Sequence, residues 1–461
     1  MPVKRRDRQG RPSSIPGAVE LHFLSPEPAR TVFVEPGLTP GGHPIVPTMV
    51  TDPNRADVAI FARVPDEVVA APTVVVLSRS AAPLPAGSSA RHHERLLMAE
   101  HPTGIAARRR HLAVRSHDLG AWRRLLRARP IVVHRRRDDP PHLVSAAQAR
   151  LSHPISAWAF DFSLGDVRSR NLLWLATADG GRFTHVVKFG RVADMRSGFE
   201  AESEAGELIG RLPSTVRERV PHHFGVVATD PVAATLEEAI PGESLLSRLR
   251  RRGSTPPKLE LIDGVVDWAI ALARATTGPP EAGAHRVLEQ RLLANYPDHR
   301  AIVADSVRRT EGLATVMTHN DLGSWNMRVR GRQVHVLDWE SWRRGLPLWD
   351  ISYFVTCALG RIFRPRGPAE TTRAWPHQLQ RGDLEVSSHY YAAIDRAVEA
   401  LALPSEVVPH VLRLCWLSHA LSPGERAMRA GATGDDAPFR FYASLAQPWL
   451  DDPELWSRWP S

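Results

Sequence analysis

The chain has 461 residues and holds 59 lysines and arginines against 50 acidic residues, a net charge of +9, with the hydrophobic and charged fractions of a soluble globular protein. That length exceeds what one core can bury and predicts two or three domains. Two cysteines exclude a disulfide framework, the lack of an apolar run near ~20 residues excludes a membrane-spanning helix, and the basic start has no apolar core of the kind a secretory signal needs; the expectation is a cytoplasmic protein with reduced thiols.

Residues 1–16 read as a disordered basic tail. The charge is uneven: residues 1–150 carry 23 lysines and arginines against 13 acidic residues, and the remaining 311 residues carry 36 against 37. The positive balance therefore belongs to the N-terminal third, where it could attract nucleic acid or an acidic partner; a solvated arginine-rich surface is the plainer reading. Residues 17–145 alternate short β-branched runs such as "TVFVEP" and "PTVVVLSR" with helical stretches, and predict a small α/β accessory domain. It contains no phosphate-binding glycine pattern, and its function is left open. "DDPPHL" at 138–143 reads as a linker.

From 146 to 240 the style changes. "NLLWLAT" and "FTHVVKFG" predict antiparallel strands joined by the turn "ADGGR"; a helix over "FEAESEAGELIGRL" follows, then strands at "FGVVAT" and "ATLEEAI". From 241 to 461 the pattern is mainly helical, interrupted near 316–338. The expectation is an α+β chain with a small β-rich lobe and a larger helical lobe behind the α/β accessory domain.

The interruption holds the densest chemistry. "THNDLGSWN" at 318–326 places a histidine, an aspartate and two asparagines in one loop, in a chain with only five asparagines. In "MRVRGRQVHV", Met327, Val329, Val334 and Val336 alternate with polar residues about Gly331-Arg332, which predicts a β-hairpin. Its pairing sets Asn326, before the first strand, beside Asp338, after the second, with Asp321 on the adjoining loop. Oxygen donors of this kind suit Mg²⁺; a zinc site has no Cys cluster or paired His to support it.

These motifs resemble the aminoglycoside phosphotransferase and choline kinase family, which shares the protein-kinase fold. The family pattern H-x-D-x-x-x-x-N, a hairpin-end Asp and G-x-P-x-x-D all occur here in order, and the likeness spans about 150–420. The resemblance implies a bilobal protein-kinase-like fold and an ATP- and Mg²⁺-dependent phosphotransferase acting on a small-molecule hydroxyl. It implies that Asp321 is the catalytic aspartate, that His319 braces its loop, that Asn326 and Asp338 are metal ligands, and that Asp350 stabilises the loop from behind or acts catalytically. Lys188, the only lysine between residues 5 and 257, would meet the nucleotide phosphates, held by Glu204 or, one turn earlier, Glu200. Gly165 and Ser169 match a phosphate-covering turn loosely, and Glu238, Ala239 and Ile240 match the segment that meets the base.

The acceptor stays open among aminoglycosides, aminosugars, choline-like molecules and other metabolites. Acids at Asp383, Glu385, Asp435, Asp436, Asp451 and Asp452 would suit a cation, arginines 328, 330, 343 and 344 an anion. The tryptophans of "QPWLDDPELWSRWP" either grip a ligand or cap a helical core. The rival reading is a catalytically weak, kinase-like scaffold whose basic N-terminal domain engages a polyanion or a protein. Oligomeric state is not legible.

Overall fold

A computed structural model describes residues 31–34, 48–49, 58–61, 73–76, 131–134, 142–161, 170–177, 183–190, 195–228, 233–280, 283–363, 369–429, 446–452 and 455. The expected basic tail, and with it Gly165 and Ser169, lies outside the described residues. Helix and strand are mixed, and the chain divides into two compact units: residues 1–203 with 222–239, and residues 204–221 with 240–461.

Among the described residues, the first unit holds two five-stranded sheets. One comprises β1 (Thr31–Val34), β2 (Thr48–Met49), β3 (Val58–Phe61), β4 (Thr73–Val76) and β5 (Ile131–His134), in the order β2-β1-β3-β4-β5. It is parallel apart from β5, which runs antiparallel to β4. After the short helix α1 (His142–Gln148) comes the second sheet, wholly antiparallel. It is built from β6 (Ile155–Asp161), β7 (Asn171–Thr177), β8 (His185–Phe189), β9 (His223–Ala228) and β10 (Ala234–Glu238), in the order β6-β7-β8-β10-β9. Strand β8 lies at its centre, and Val186 through Phe189 are all buried. Helix α2 (Arg196–Gly210) follows β8, and its part through Ser203 belongs to this unit.

The second unit is mainly helical. It contains α3 (Ser214–Arg217), β11 (Glu243–Ser244), α4 (Leu245–Arg250), α5 (Pro256–Thr276), α6 (Ala284–Asn295) and α7 (Arg300–Thr310). Then come β12 (Val316–Thr318), β13 (Met327–Arg330), β14 (Gln333–Val336), β15 (Arg343–Gly345) and α8 (Trp349–Phe363). Helices α9 (Ala369–Arg381), α10 (Ser387–Ala400), α11 (Val408–Arg429) and α12 (Pro448–Asp451) complete it.

The apolar faces of α5, α8, α10 and α11 close around Trp339, Phe354, Tyr390, Trp416 and Trp449, all with less than 2 % exposure. Each such side chain contributes roughly 1.5–3 kcal/mol or more through burial. Trp449 therefore caps the core, and its indole N–H donates to Gln380 Oε1 at 2.9 Å. Asp452 pairs with His377 at 2.8 Å and Asp383 lies 3.5 Å from Arg381, so these two acids serve local ion pairs.

Both cysteines are free thiols. Burial, reinforced by Asp321 and opposed by Arg361, pushes the Cys357 thiol up to about 12. No helix of the described residues is long and apolar enough to cross a membrane.

Candidate active site

The 318–326 loop sits between two small sheets of the second unit. Strand β12 pairs antiparallel with β15, Thr318 opposite Arg343, and Thr318 Oγ1 donates to the Arg343 carbonyl at 2.9 Å. Strands β13 and β14 form the expected hairpin, pairing Met327 with Val336 through Arg330 with Gln333. Gly331 has φ 64° at the first turn position, where a two-residue hairpin turn favours glycine. Met327, Val329, Val334 and Val336 are buried, as their alternation requires. Strand β11 adds to the outer side of β13, and the Leu337 amide donates to the Asn326 carbonyl at 2.8 Å. The hairpin thus brings the chain at 326 beside the chain at 337–338.

His319 is fully buried. Its Nε2 lies 2.8 Å from the Leu337 carbonyl, and its Nδ1 accepts the Asp321 amide at 3.3 Å. A carbonyl accepts only, so Nε2 carries the proton and Nδ1 is the acceptor. The ring also packs against Trp339, centroids 4.7 Å apart. The histidine therefore ties the loop to the hairpin.

Asn326 donates from Nδ2 to the Asp321 carbonyl at 2.9 Å and to Asp321 Oδ2 at 3.0 Å. Both partners are acceptors, so the nitrogen must face them and Oδ1 points the other way. Trp325 Nε1 adds a long contact to Asp321 Oδ2 at 3.5 Å. Gly323 permits this arrangement, because a Cβ there would stand 2.2 Å from the Trp325 ring. Asp338 follows the hairpin with φ 70°, a left-handed backbone that costs a non-glycine residue on the order of 1–3 kcal/mol. Asn320, with φ 62°, shares that conformation.

Asp350 opens α8 and does not leave its oxygens exposed. Oδ2 accepts the His319 amide at 2.6 Å and Oδ1 accepts the Asn320 amide at 2.9 Å. Burial raises its pKa, while the His319 ring, the two backbone donors and Arg343 oppose that rise. Of the two expectations for this residue, the geometry is that of a brace holding the loop's backbone. The donor set in this unit fits a hard cation: a carboxylate at Asp338, an amide oxygen at Asn326 turned away from its own hydrogen bonds, and no sulfur ligand.

Lys188 lies in the first unit, on β8, at 6 % exposure. Its partner differs from the expected Glu204 or Glu200. Nζ donates to Glu202 Oε1 at 2.6 Å, and Glu237 Oε1 stands 2.9 Å away. Glu204 is exposed, and Glu200 is exposed and lies 3.6 Å from Arg196. The reason is the phase of α2: Phe199, Ala205 and Ile209 are its buried apolar residues, and Glu202 is spaced three residues from two of them. Glu204 is rotated off that face. Glu202 also receives Arg170 Nη1 on Oε2 at 2.6 Å. Burial alone would raise the Glu202 pKa; the Arg170 and Lys188 charges, with smaller help from His223 and the Lys188 hydrogen bond, outweigh it and hold the carboxyl well below the carboxylate range.

The expected base-binding segment is placed in part. Glu238 is exposed and its amide donates to the His222 carbonyl at 2.9 Å; the Ala239 amide donates to the Thr184 carbonyl at 2.9 Å. Those two donors serve the sheet. Ala239 and Ile240 are buried. Of the arginines near the loop, Arg344 holds the Thr276 and Thr315 carbonyls, each at 2.9 Å, and Arg328 the Gly242 carbonyl at 2.9 Å, which are structural duties.

Residues 233–388 match the family model described as the phosphotransferase enzyme family. The match covers 156 of the 461 residues. It takes in His319, Asp321, Asn326, Asp338 and Asp350, and leaves Lys188 and Glu202 outside. No sequence among the curated proteins matches the chain. Among solved structures, a protein of Ralstonia eutropha JMP134 described as a candidate aminoglycoside phosphotransferase is 15 % identical at a TM-score of 0.44, over 68 % of this chain and 96 % of that one. The aminoglycoside phosphotransferase APH(4)-Ia, solved with ADP and hygromycin B, is 13 % identical at 0.42, over 69 % and 99 %. A glucosamine kinase is 17 % identical at 0.40, over 70 % and 88 %. At such values the functional reading rests on the matched segment and on the site's own geometry.

Sequence reasoning missed Glu202, Glu237 and Arg170. The first had a signal in the helical phase of α2, and the second in strand alternation, since Thr235 lies directly opposite Lys188 and Glu237 follows two residues on.

Proposed function

We propose that this protein is an ATP- and Mg²⁺-dependent phosphotransferase that moves the γ-phosphoryl group to a hydroxyl of a small molecule. The observation that carries the reading is the Asn326 side chain: its amide nitrogen is spent on Asp321, which leaves its oxygen, with the carboxylate of Asp338 beyond the second strand of the hairpin, as the oxygen donors of a metal site. Mg²⁺ held there would neutralise charge on the transferring phosphoryl group. Asp321, fixed by Asn326 and Trp325, would accept a hydrogen bond from the acceptor hydroxyl and take its proton late. His319 and Asp350 would hold the loop so that Asp321 does not drift. Lys188, restrained by carboxylates, would meet the α- and β-phosphates. Contact with the base would fall to carbonyls of 238–240 or to Ile240, since the Glu238 and Ala239 amides are engaged.

The acceptor belongs to the class of polar, hydroxyl-bearing metabolites, with aminoglycosides and aminosugars first to be tried. The test combines nucleotide binding with an acceptor screen using labelled ATP. ADP should raise the melting temperature more with Mg²⁺ than without it, and Asp338→Ala should remove that difference. Asp321→Asn should leave ADP binding in place and cut phosphoryl transfer by about 10²–10⁴-fold. Equal ADP stabilisation with and without Mg²⁺, together with no transfer to any acceptor, would reject the reading.

A further inference from the structure

Lys188 is held by two carboxylates on different elements, and each has a second base behind it. Glu202, from α2, places Oε1 2.6 Å from Nζ, while its Oε2 takes Arg170 Nη1 at 2.6 Å and Thr235 Oγ1 at 3.4 Å. Glu237, from β10, places Oε1 2.9 Å from the same Nζ, and its Oε2 stands 3.2 Å from His223 Nε2. Side-chain exposures run from 0 % for Glu202 to 9 % for Arg170, so water screens none of these contacts well. Arg170 is further fixed over the Phe199 ring, 4.7 Å from its centroid. The formal charges of Arg170 and Lys188 cancel those of Glu202 and Glu237.

The sheet register makes this arrangement. Thr235 faces Lys188 directly across β8 and β10, and Glu237 sits one step along the same face. Helix α2 lays Glu202 over that face. Ligand atoms of Glu202, His223 and Glu237 lie within 4.8 Å of one another, the spacing of a cation site, but the ammonium already occupies Oε1 of both carboxylates. The group they hold is Lys188.

We propose that Glu237 is a positioning residue for Lys188, forming with Glu202 a two-carboxylate cradle in which the strand-borne carboxylate fixes the ammonium independently of the helix. With carboxylate oxygens of Glu202 and Glu237 at 2.6 and 2.9 Å, the ammonium is held at one place on the strand, and the direction in which it can meet a phosphate oxygen is set with it. The part of this proposal that concerns nucleotide rests on the phosphate role given to Lys188 above.

The chain holds only three lysines, Lys4, Lys188 and Lys258, so [¹⁵N]lysine labelling of the full-length protein yields at most three side-chain ammonium signals. Lys188→Met assigns the buried one. In the unaltered protein that signal should exchange slowly with water. Glu237→Gln should speed its exchange at least tenfold and weaken ADP binding severalfold, although a negative charge has been removed from beside an anion. Unchanged exchange, or ADP affinity that is unchanged or higher, overturns the proposal; a merely structural Glu237 would lower the melting temperature and move neither readout. If Glu237→Gln does not fold, Glu237→Asp, which keeps the charge and draws it back by one methylene, is read the same way. Lys188→Met separates the two readings. ADP affinity untouched by that substitution removes the phosphate role of Lys188, while the exchange rates still decide the cradle.

Discussion

At the scale of single residues, the loop is held by buried hydrogen bonds to its backbone. Asn320, Asp338 and Leu348 all have φ between 62° and 73°, a conformation that non-glycine residues keep only when their surroundings enforce it. Asp350 supplies part of that enforcement by accepting the amides of His319 and Asn320. Asp350→Asn would turn one carboxylate oxygen into a donor facing a buried N–H. The expected cost is about 2 kcal/mol, from the price of an unsatisfied buried donor, read as a lower urea midpoint at unchanged slope. Phosphoryl transfer should fall by up to ~10²-fold, since a small displacement of Asp321 is enough for that. The residue types and spacings here were legible: His319, Asp321, Asn326 and Asp338 could be named because the loop and hairpin are local, and short-range chain geometry fixes which of them approach. That Asp350 braces through both oxygens was not legible, because its partners lie about thirty residues away across a packed helix.

At the scale of elements, the β13–β14 hairpin followed from its alternation about Gly331, and the strands around Lys188 from their β-branched runs. Helix α2 was placed in the sequence, but its phase was misjudged. Four glutamates at 200, 202, 204 and 207 look alike in composition, and only the apolar positions Phe199, Ala205 and Ile209 say which one turns inward. A charge on the inward face reads as an error of patterning until its partners are known. The consequence can be checked directly. Glu204→Gln should alter stability by less than about 0.5 kcal/mol, as expected of an exposed position, and leave ADP affinity unchanged. Glu202→Gln, which strips Arg170 and Lys188 of a shared buried partner, should cost several kilocalories in the same chemical unfolding experiment.

At the scale of the molecule, the buried histidines of the second unit set its response to acid. Burial, with Arg343 and Arg291 nearby, lowers the His419 pKa to about 3, and its ring stacks on Tyr353 with centroids 4.3 Å apart. Burial also lowers His410 to about 4, helped by Arg413 and Arg309 and opposed by Asp305. A histidine whose folded pKa lies below its unfolded value binds its proton only on unfolding. The stability it contributes is therefore complete above the unfolded value of 6.5 and is lost as pH falls from there toward the folded value. For His419 the loss is about 1.4 kcal/mol per pH unit within that window. Unfolding free energies measured from pH 7.5 to 4.5 should decline below 6.5, and His419→Phe, which keeps the stack without the titration, should reduce the slope by about one proton. A slope unchanged by that substitution would contradict a neutral buried ring. By itself the sequence determined the order of strand-rich and helix-rich segments and the loop with its hairpin, because hydrophobic period and short-range geometry are written in consecutive residues. The tertiary structure alone decided which glutamates hold Lys188 and what Asp350 does, because a buried charge is defined by partners that only packing brings within three ångströms.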